Sequence, residues 1–438
     1  MLGKASLFGV LQYSAYRRLF AAQVVSLLGT GLASIALGLL VFELGGANAG
    51  VILGTVLAIK IIAYVTTAPV AEALLGNLPR RTVLVLLDLV RAGFALALPW
   101  VTEIWQIYLL IFLLQAASAG FTPLFQATIP DLLKDEEDYT KALSLSRLAY
   151  DLETLLSPVL ATLLLAVVTW QGLYAGTVCG FLASAALVCT VSLPFSTKTQ
   201  LPFRKRVTRG MQIYLATPRL QGGLILHGVV AAAGAMVFVN TVVLVQGHFG
   251  LAEQDTALTL AAFGVGSMLV ALVSPKLLEK FAERAVMLVG SLILVVSLGI
   301  STGIEEWRDL LPVWMLLGSG YSMIHIPMGR LLGRSAHTED RPALFAAHFS
   351  LSHACWLIAY PAVGWLGATL ELSLTFGILA VGCLLGCALA WRVWPKIDPI
   401  DLEHRHDDLS SDHPHLSGTQ VHVHPYVIDD LHPQWPRQ

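Results

Sequence analysis

The chain alternates long apolar runs with short polar breaks, and this pattern determines the predicted elements. A run of about 20 apolar residues can cross the hydrocarbon core of a bilayer as a helix, which satisfies its own backbone hydrogen bonds. Twelve such runs are present, at 19–42, 50–75, 82–101, 107–129, 148–168, 173–193, 222–245, 257–278, 286–303, 310–332, 343–367 and 372–394. The sequence therefore predicts an all-α membrane protein with twelve transmembrane helices.

The longest polar break between the first and last runs is 196–219, and it divides the chain into two halves. It contains six basic residues and no acidic residue: Lys198, Arg204, Lys205, Arg206, Arg209 and Arg219. Such a loop stays in the cytoplasm, where anionic lipid head groups can hold its basic side chains. The predicted organisation is a six-helix half at 1–195, a basic linker at 196–219, a second six-helix half at 220–395 and a tail at 396–438.

Basic residues are distributed unequally between the two sides of the predicted membrane. The outer connections hold a single basic residue, Arg308, and Lys60 and Arg91 lie within spans. The other 24 of the 27 Lys and Arg residues fall on the opposite side. Because loops rich in Lys and Arg remain in the cytoplasm, both termini and the linker are predicted to be cytoplasmic.

The two halves align with each other at a constant offset of 203 residues. This offset superposes Arg81 on Arg284 and Pro158 on Pro361. Two six-helix halves related by a parallel repeat predict a substrate path between them near the midplane, opened to alternate sides by rocking one half against the other.

Composition supports the membrane class and argues against catalysis. The chain is 56% hydrophobic and 13% charged, with a mean hydropathy of +0.71. Its five cysteines lie in apolar runs without a CxxC pair, so no disulfide framework is expected. The sequence contains no phosphate-binding G-x-x-x-x-G-K-[ST] loop, no HExxH and no GxSxG. We therefore predict neither an enzyme nor a nucleic-acid-binding protein, and no required cofactor.

Residues 15–395 resemble a transporter of the major facilitator superfamily. The loop after the second span keeps Arg80 and Arg81 of the superfamily signature, and Glu279, Lys280 and Arg284 form a nearer second copy. The segments LLDLVRAG, with Asp88 and Arg91, and LSLSRLAYDLETLLSPVLA resemble the third and fifth spans of the exporter branch that includes siderophore and macrolide pumps. The resemblance implies conformational roles for these loop residues, although Asp88 and Arg91, three apart on one helix face, fit a structural ion pair.

The tail contains three H-x-H pairs at nine-residue intervals, followed by one more histidine: His404, His406, His413, His415, His422, His424 and His432. In an extended chain, residues i and i+2 point the same way, so each pair can offer two imidazoles to one metal ion. Ni²⁺, Co²⁺ or Zn²⁺ would suit such a site. The alternatives are a solvated low-complexity segment and a pH sensor. The apolar end of the tail, 426–435, can dock on the cytoplasmic face of the protein.

Inserting an ionisable side chain at the centre of a membrane helix costs about 2.5 to 3.5 kcal/mol, so each such residue is expected to have a structural or functional role. His227, His325, His348 and His353 form a candidate metal or proton path, and Lys60 lies near the centre of the second span. Lys60 must lose its proton, pair with an acid or attract an anionic group of the substrate. Its candidate partners are Glu43, Asp151 and Glu153, and the last two are also candidates for proton coupling. Their position near the predicted start of a span equally fits helix-terminus stabilisation.

An exporter of this superfamily with a cytoplasmic histidine-rich tail resembles the bacterial nickel-resistance efflux group, a likeness that rests on tail composition. The predicted function is proton-coupled efflux of a divalent metal such as nickel or cobalt across a bacterial inner membrane by a monomer. One alternative is efflux of an organic compound, a drug or a siderophore, with a tail that only regulates. The other is a sensor that does not transport, because fold alone does not decide function.

Overall fold

The computed structural model describes residues 6–193, 202–398, 401–405, 414–416 and 421–436. Thirteen α-helices lie in these ranges: α1 Ser14–Gly45, α2 Ala49–Leu75, α3 Arg80–Ala97, α4 Ile104–Leu132, α5 Glu136–Leu165, α6 Trp170–Cys189, α7 Phe203–Ala216, α8 Pro218–Val242, α9 Glu253–Lys280, α10 Glu283–Ser301, α11 Trp307–Arg334, α12 Arg341–Thr369 and α13 Leu372–Val393. Two strands follow in the tail, β1 Asp401–Arg405 and β2 Val421–Pro425.

Twelve of these helices form the membrane bundle. Eleven are long and apolar enough to cross a bilayer by length and composition alone. The twelfth, α11, carries charged residues near both ends and packs between α9 and α10. The predicted twelve-helix fold is therefore confirmed, with α7 as an additional short helix between the halves.

The repeat is visible in how the helices pack. In the N-terminal half α1 packs on α6 and α2 packs on α4, and in the C-terminal half α8 packs on α13 and α9 packs on α11. The contacts between the halves are also paired, with α2 on α12 and α5 on α9. Small residues allow close approach within the second half: a Cβ on Gly266 would lie 1.9 Å from the Met315 carbonyl oxygen.

The linker is not the open loop that its polarity predicts, because its described part forms the amphipathic helix α7. Gly210, Ile213 and Tyr214 are buried at helical spacing. A Cβ on Gly210 would lie 1.9 Å from the Ala343 carbonyl oxygen, so α7 lies directly on α12. The expectation that lipid head groups hold the basic residues is wrong for Arg209, which pairs with Asp340 at 3.0 Å and Asp430 at 2.9 Å. Lys198 lies outside the described residues.

Helix α5 begins at Glu136, twelve residues before the predicted start of its span. The carboxylate of Asp135 caps it by accepting a hydrogen bond from the backbone N–H of Asp138. Asp151 and Glu153 therefore lie about 22 to 26 Å along the helix, not in its first turn. The prediction that they act at a helix N-terminus is wrong, because hydropathy does not register the polar first three turns of this helix.

The two halves are joined by ion pairs that cross between them at one end of the bundle, which the distribution of basic residues predicts to be cytoplasmic. Asp131 of α4 binds Arg80 of its own half at 2.5 Å and Arg341 of the other half. Arg330 of α11 binds Glu136 of α5. The Tyr139 hydroxyl donates to the Gly329 carbonyl at 2.9 Å. The bundle is thus closed at the end that is predicted to face the cytoplasm.

The tail folds back onto this same face. Strands β1 and β2 are antiparallel, with His404 opposite His422 and Leu402 opposite His424. After β2, the side chains of Tyr426, Val427 and Ile428 are buried. Tyr426 and Ile428 join the apolar core of the C-terminal half, which places the apolar end of the tail on the transmembrane bundle as expected.

Candidate functional site

Three of the predicted membrane histidines converge in the C-terminal half. His227 of α8 lies at the centre, with its ring centroid 4.9 Å from that of His325 on α11 and 4.7 Å from that of His348 on α12. Both ring pairs meet at close to a right angle. We call these three residues the membrane cluster. No periodicity in the sequence links them, because they come from three separate helices.

Hydrogen bonds determine which nitrogen of His227 is available. Its Nδ1 lies 2.9 Å from the Gly223 carbonyl oxygen, one helical turn earlier. A carbonyl can only accept, so Nδ1 carries the proton and Nε2 carries a bare lone pair. His348 Nδ1 shares a 3.1 Å hydrogen bond with the Tyr214 hydroxyl of α7. The linker helix thus orients one ring of the cluster.

Two nitrogen atoms of the membrane cluster are buried without a hydrogen-bond partner among the described residues: Nε2 of His227 and Nε2 of His325. Leaving a buried polar atom unsatisfied costs about 1 to 3 kcal/mol, and most native polar groups avoid it. His325 is held by ring contact with Tyr321, at 4.3 Å between centroids.

His353 is separate from this cluster. Its ring packs on Phe349 at 4.2 Å and on Tyr64 of the other half at 4.9 Å. Its Nδ1 donates to the Phe349 carbonyl at 2.7 Å. The structure therefore brings together three of the four predicted histidines and places the fourth at the interface between the halves.

Lys60 does not pair with any of its candidate acids. No described carboxylate lies within 4.0 Å of its ammonium, which sits 5.8 Å from the centroid of the Tyr64 ring. Asp151 instead binds Arg147 of its own helix, one turn away. Glu43 is exposed at the end of α1, and Glu153 accepts a long 3.5 Å hydrogen bond from Ser157.

Asp151 belongs to a polar network between the halves that the sequence did not reveal. Ser267 of α9 donates to Asp151 at 2.6 Å, and its hydroxyl lies 2.5 Å from that of Ser322 on α11. Arg147 donates to Ser267 at 3.0 Å and lies over the Tyr321 ring at 4.8 Å. One sequence signal could have revealed part of this network: Arg147 lies four positions before Asp151, and that spacing predicts an ion pair on a helix.

Asp88 and Arg91 form the ion pair that their spacing predicts, inside the N-terminal half. Both are buried, and Ser184 of α6 donates to Asp88 at 2.8 Å. The Arg91 guanidinium is stacked between Phe121 at 4.0 Å and Phe181 at 4.5 Å.

The predicted loop residues take unequal positions. Arg80 is buried in the cytoplasmic ion pairs, whereas Arg81, Glu279 and Lys280 are exposed. Arg284 donates to the carbonyls of Trp391 and Trp394 at the end of α13. The charged residues that sequence reasoning missed are those that bridge helices at this end: Asp131, Glu136, Glu283, Arg330, Arg334, Arg341 and Asp398. Their partners lie far away along the chain, so local spacing carries no signal for them.

The tail brings four histidines into a second cluster. His404, His415, His422 and His424 each offer a ring nitrogen, and these atoms lie within 4.8 Å of one another. His432 adds a fifth ring, with its Nε2 3.0 Å from that of His404. We call these five residues the tail cluster. The i, i+2 argument holds for His422 and His424, whereas His406 and His413 lie outside the described residues.

The Nδ1 atoms of three tail rings face oxygen atoms. They donate from His404 to the Leu402 carbonyl at 3.0 Å, from His424 to the Pro425 carbonyl at 2.9 Å and from His432 to the Asp429 carboxylate at 2.8 Å. Each Nε2 is then a lone-pair donor directed into the cluster. A histidine whose other nitrogen donates to a carbonyl or carboxylate is the arrangement found at metal ligands.

Asp429 joins the tail cluster to the bundle. Its second carboxylate oxygen lies 3.2 Å from Nε2 of His337, in the connection between α11 and α12. Burial opposes ionisation of Asp429, but hydrogen bonds from His337 and His432 hold its pKa below the usual range. The hydrogen bond to Asp429 also raises the pKa of His337.

Arginine side chains hold the remainder of the docked tail. Arg219 donates to Asp398 at 3.0 Å and to the Tyr426 carbonyl at 3.3 Å, and it lies over the Trp435 ring at 4.9 Å. Arg209 of α7 binds Asp430. The linker and the tail are thus two layers on the same cytoplasmic face.

Two six-helix halves with paired contacts leave few candidate families, and the family comparison decides among them. The model described as Major Facilitator Superfamily matches residues 19–238 and 223–410. The chain belongs to the major facilitator superfamily. As a superfamily member it is a multi-pass membrane transporter.

Relatives of known sequence and structure agree with this placement. The chain is 22% identical over 380 residues to the uncharacterized MFS-type transporter YfiS of Bacillus subtilis strain 168, covering 84% of this chain and 89% of the relative. Among solved superfamily-like folds, it is similar to the human organic anion transporter MFSD10 (TETRAN), with a TM-score of 0.75 at 13% identity over 86% of this chain and 98% of that one. It is also similar to a bacterial homologue of the iron transporter ferroportin in its outward-facing state, with a TM-score of 0.69 at 14% identity over 86% and 99% of the two chains. At these identities the solved structures support the fold alone.

Proposed function

We propose that this transporter exports divalent transition-metal ions, Ni²⁺ or Co²⁺, from the cytoplasm across a bacterial inner membrane. The observation that carries the proposal is the convergence of four tail imidazoles with ring nitrogens within 4.8 Å of one another. Neutral imidazole suits Ni, Zn and Cu, and the affinity of such sites rises from Co²⁺ through Ni²⁺ to Cu²⁺. The tail contains no thiolate that would select Cu(I).

The electrostatics of the tail cluster favour a bound cation. With Nδ1 donating to oxygen, the Nε2 lone pairs of His404 and His432 face each other at 3.0 Å and repel unless a positive charge lies between them. A metal ion accepts several such lone pairs at once, whereas a proton accepts only two. The cluster therefore fits a metal better than a pH sensor.

The position of the cluster supports a role in export. It is docked on the face predicted to be cytoplasmic, where it would take metal from the cytoplasmic pool. Proton coupling is part of the proposal, and Glu153 is the best-placed acid for it, because Asp151 is already paired with Arg147. The working unit is proposed to be a monomer.

A second candidate is export of an organic anion, and Lys60 favours it. Its ammonium has no carboxylate within salt-bridge distance in the described chain and lies near Tyr64. A cation beside aromatic rings suits an amphipathic anion rather than a metal ion. The human transporter MFSD10, named for organic anions, shares the fold with this chain.

The experiment is metal accumulation in cells that express the full chain and are challenged in turn with Ni²⁺, Co²⁺, Zn²⁺ and Cu²⁺. We expect lower accumulation of Ni²⁺ or Co²⁺ than in cells without the transporter. Replacing His404, His415, His422 and His424 with Ala should reduce this effect. His248→Ala is the matched control, because His248 is exposed in the short helical turn 243–248 that follows α8.

Unchanged accumulation of all four metals would overturn the proposal and favour the organic anion. Metal binding to the tail without movement of any substrate would instead favour a sensor built on the transporter fold.

A further inference from the structure

We propose that His227, His325 and His348 form the intramembrane site that holds the divalent metal ion during transport. This inference rests on the proposed function and names its binding site within the membrane. The membrane cluster lies on α8, α11 and α12. It is separate from the tail cluster, whose histidines lie on and around strands β1 and β2.

The three residues lie at one level of the bundle. His227 is nine residues from the start of α8, His325 nine residues from the end of α11 and His348 seven residues from the start of α12. These separations correspond to about 10 to 14 Å from the cytoplasmic ends of the helices. Three helices of one half thus place imidazoles at a common depth.

The hydrogen bonds prepare these rings to act as ligands. The Gly223 carbonyl fixes the tautomer of His227 and leaves its Nε2 as a lone-pair donor. Nε2 of His227 and Nε2 of His325 are both buried and lack a partner in the described chain. The Tyr214 hydroxyl holds His348 through Nδ1. A metal ion would satisfy the unpartnered nitrogens, and backbone or hydroxyl contacts of this kind orient histidine ligands.

The charge around the cluster suits an ion that has to leave again. The ligands are neutral, and Arg147, which lies over the Tyr321 ring beside His325, is already paired with Asp151. Tyr321 lies between this pair and His325. Three imidazoles leave at least one coordination position open for water, as in metal sites that exchange ligands. Because none of the three ligands is a carboxylate, the site has no negative charge that would hold the ion more tightly.

The test uses full-length protein in which all seven tail histidines are replaced by Asn, so that only the membrane cluster can bind. Purified protein is titrated with Co²⁺ and followed by its visible absorption, with bound cobalt counted after gel filtration. We expect one Co²⁺ per chain. His227→Ala, His325→Ala and His348→Ala, each in this background, should each abolish it. His248→Ala should not alter it.

Loss of Co²⁺ binding in the histidine variants could also result from misfolding, so a further variant keeps all three rings. Tyr214→Phe removes only the hydroxyl that orients His348 and should weaken Co²⁺ affinity about 10- to 100-fold, as loss of a hydrogen bond to a metal-binding histidine does. Unchanged affinity in Tyr214→Phe would show that His348 is not held as a ligand. Failure of the tail-substituted protein to bind Co²⁺, or binding that survives the three histidine substitutions, would overturn the site.

Failure of this inference can be separated from failure of the proposed function. If cells still export metal when His227, His325 and His348 are replaced, the function stands and the site is wrong. If the purified protein binds Co²⁺ through these residues but exports no metal, the site stands and the function is wrong.

Discussion

The two halves share one fold but bury different kinds of polar side chain. The N-terminal half buries charges that are neutralised internally, as in the pair of Asp88 with Arg91. The C-terminal half buries the neutral imidazoles of the membrane cluster, two of which keep a nitrogen without a partner in the described part of the chain. A neutralised ion pair is a fixed structural element, whereas an imidazole with a free lone pair can take up and release a cation. The two copies of the repeat thus share their helix packing but differ in the polar side chains that they bury.

The largest expected effect comes from breaking the charged pair of the N-terminal half. Asp88→Asn keeps the shape of the side chain and leaves Arg91 buried without its counter-ion. Removing one partner of a buried pair costs about 3 to 5 kcal/mol of unfolding free energy. Unfolding of the purified protein in detergent, followed by tryptophan fluorescence, measures this loss.

Glu137→Gln is the control for that substitution, because Glu137 is 60% exposed in its pair with Lys141. It should cost less than about 1 kcal/mol. Equal stability of Asp88→Asn and Glu137→Gln would show that the Asp88 pair is not the structural element described above.

The next largest effect lies between the halves. Asp131→Asn weakens the ion pairs with Arg80 and Arg341, and hydrogen bonds to charged groups contribute about 1.5 to 3 kcal/mol each. We expect the cytoplasm-open population to rise by roughly tenfold or more, since 1.4 kcal/mol is a factor of ten. The measurement is the rate of thiol labelling of Ala346→Cys, which is buried between the halves beside Ala68.

Asp135→Asn serves as the matched change for the labelling experiment. Asn also caps helices well, so α5 should be kept and the labelling rate left unchanged. A similar acceleration in both variants would assign the effect to α5 rather than to the contacts of Asp131.

A smaller effect is expected on the stability of the C-terminal half, and it sharpens the comparison. His227→Leu removes a buried nitrogen that has no partner among the described residues, which is favourable, but also removes the hydrogen bond to the Gly223 carbonyl, which is worth about 0.5 to 1.5 kcal/mol, so the two effects largely offset each other. We expect unfolding free energy to change by less than about 1 kcal/mol while Co²⁺ binding by the tail-substituted protein is lost. A loss of stability as large as that of Asp88→Asn would mean that His227 is a packing residue.

The smallest effect concerns the pH dependence of tail docking. Because the folded pKa of His337 is raised by Asp429, its contribution is fully present below the usual histidine pKa near 6.5 and is lost as pH rises through the raised value. His337 is 55% exposed, so this contribution is below about 1 kcal/mol. Protease cleavage of the tail should become faster over that pH range, and His337→Gln should remove the dependence. A profile that is the same in both proteins would contradict this assignment.

Much of the fold followed from local pattern, and much of the site did not. Apolar runs, charge asymmetry and the 203-residue offset predicted the bundle because span length and orientation depend on nearby residues. The same reasoning missed α7, where Gly210, Ile213 and Tyr214 carry helical spacing within a strongly basic segment. It also placed the start of α5 too late, because polar turns outside the membrane do not change hydropathy.

The sites depended on contacts between distant residues. Nothing in the sequence states that His227 meets His325 and His348, which are about a hundred residues away in sequence. The pairing of His404 with His422 required the β-hairpin register, since the H-x-H pattern itself predicted three separate pairs. The sequence placed Lys60 near the middle of a helix, but only the packing of the surrounding helices showed that no described carboxylate pairs with it.

The shared carboxylate of Asp131 has a consequence for the speed of switching. When the halves part on the cytoplasmic side, Arg341 leaves Asp131 but still donates to the Gly333 carbonyl at 3.0 Å, and Asp131 still binds Arg80. Arg341 then keeps a hydrogen bond and Asp131 keeps a counter-ion, so neither group loses all of its partners when the pair separates. Keeping these partners reduces the free-energy cost of separating the halves, which favours switching between the two orientations.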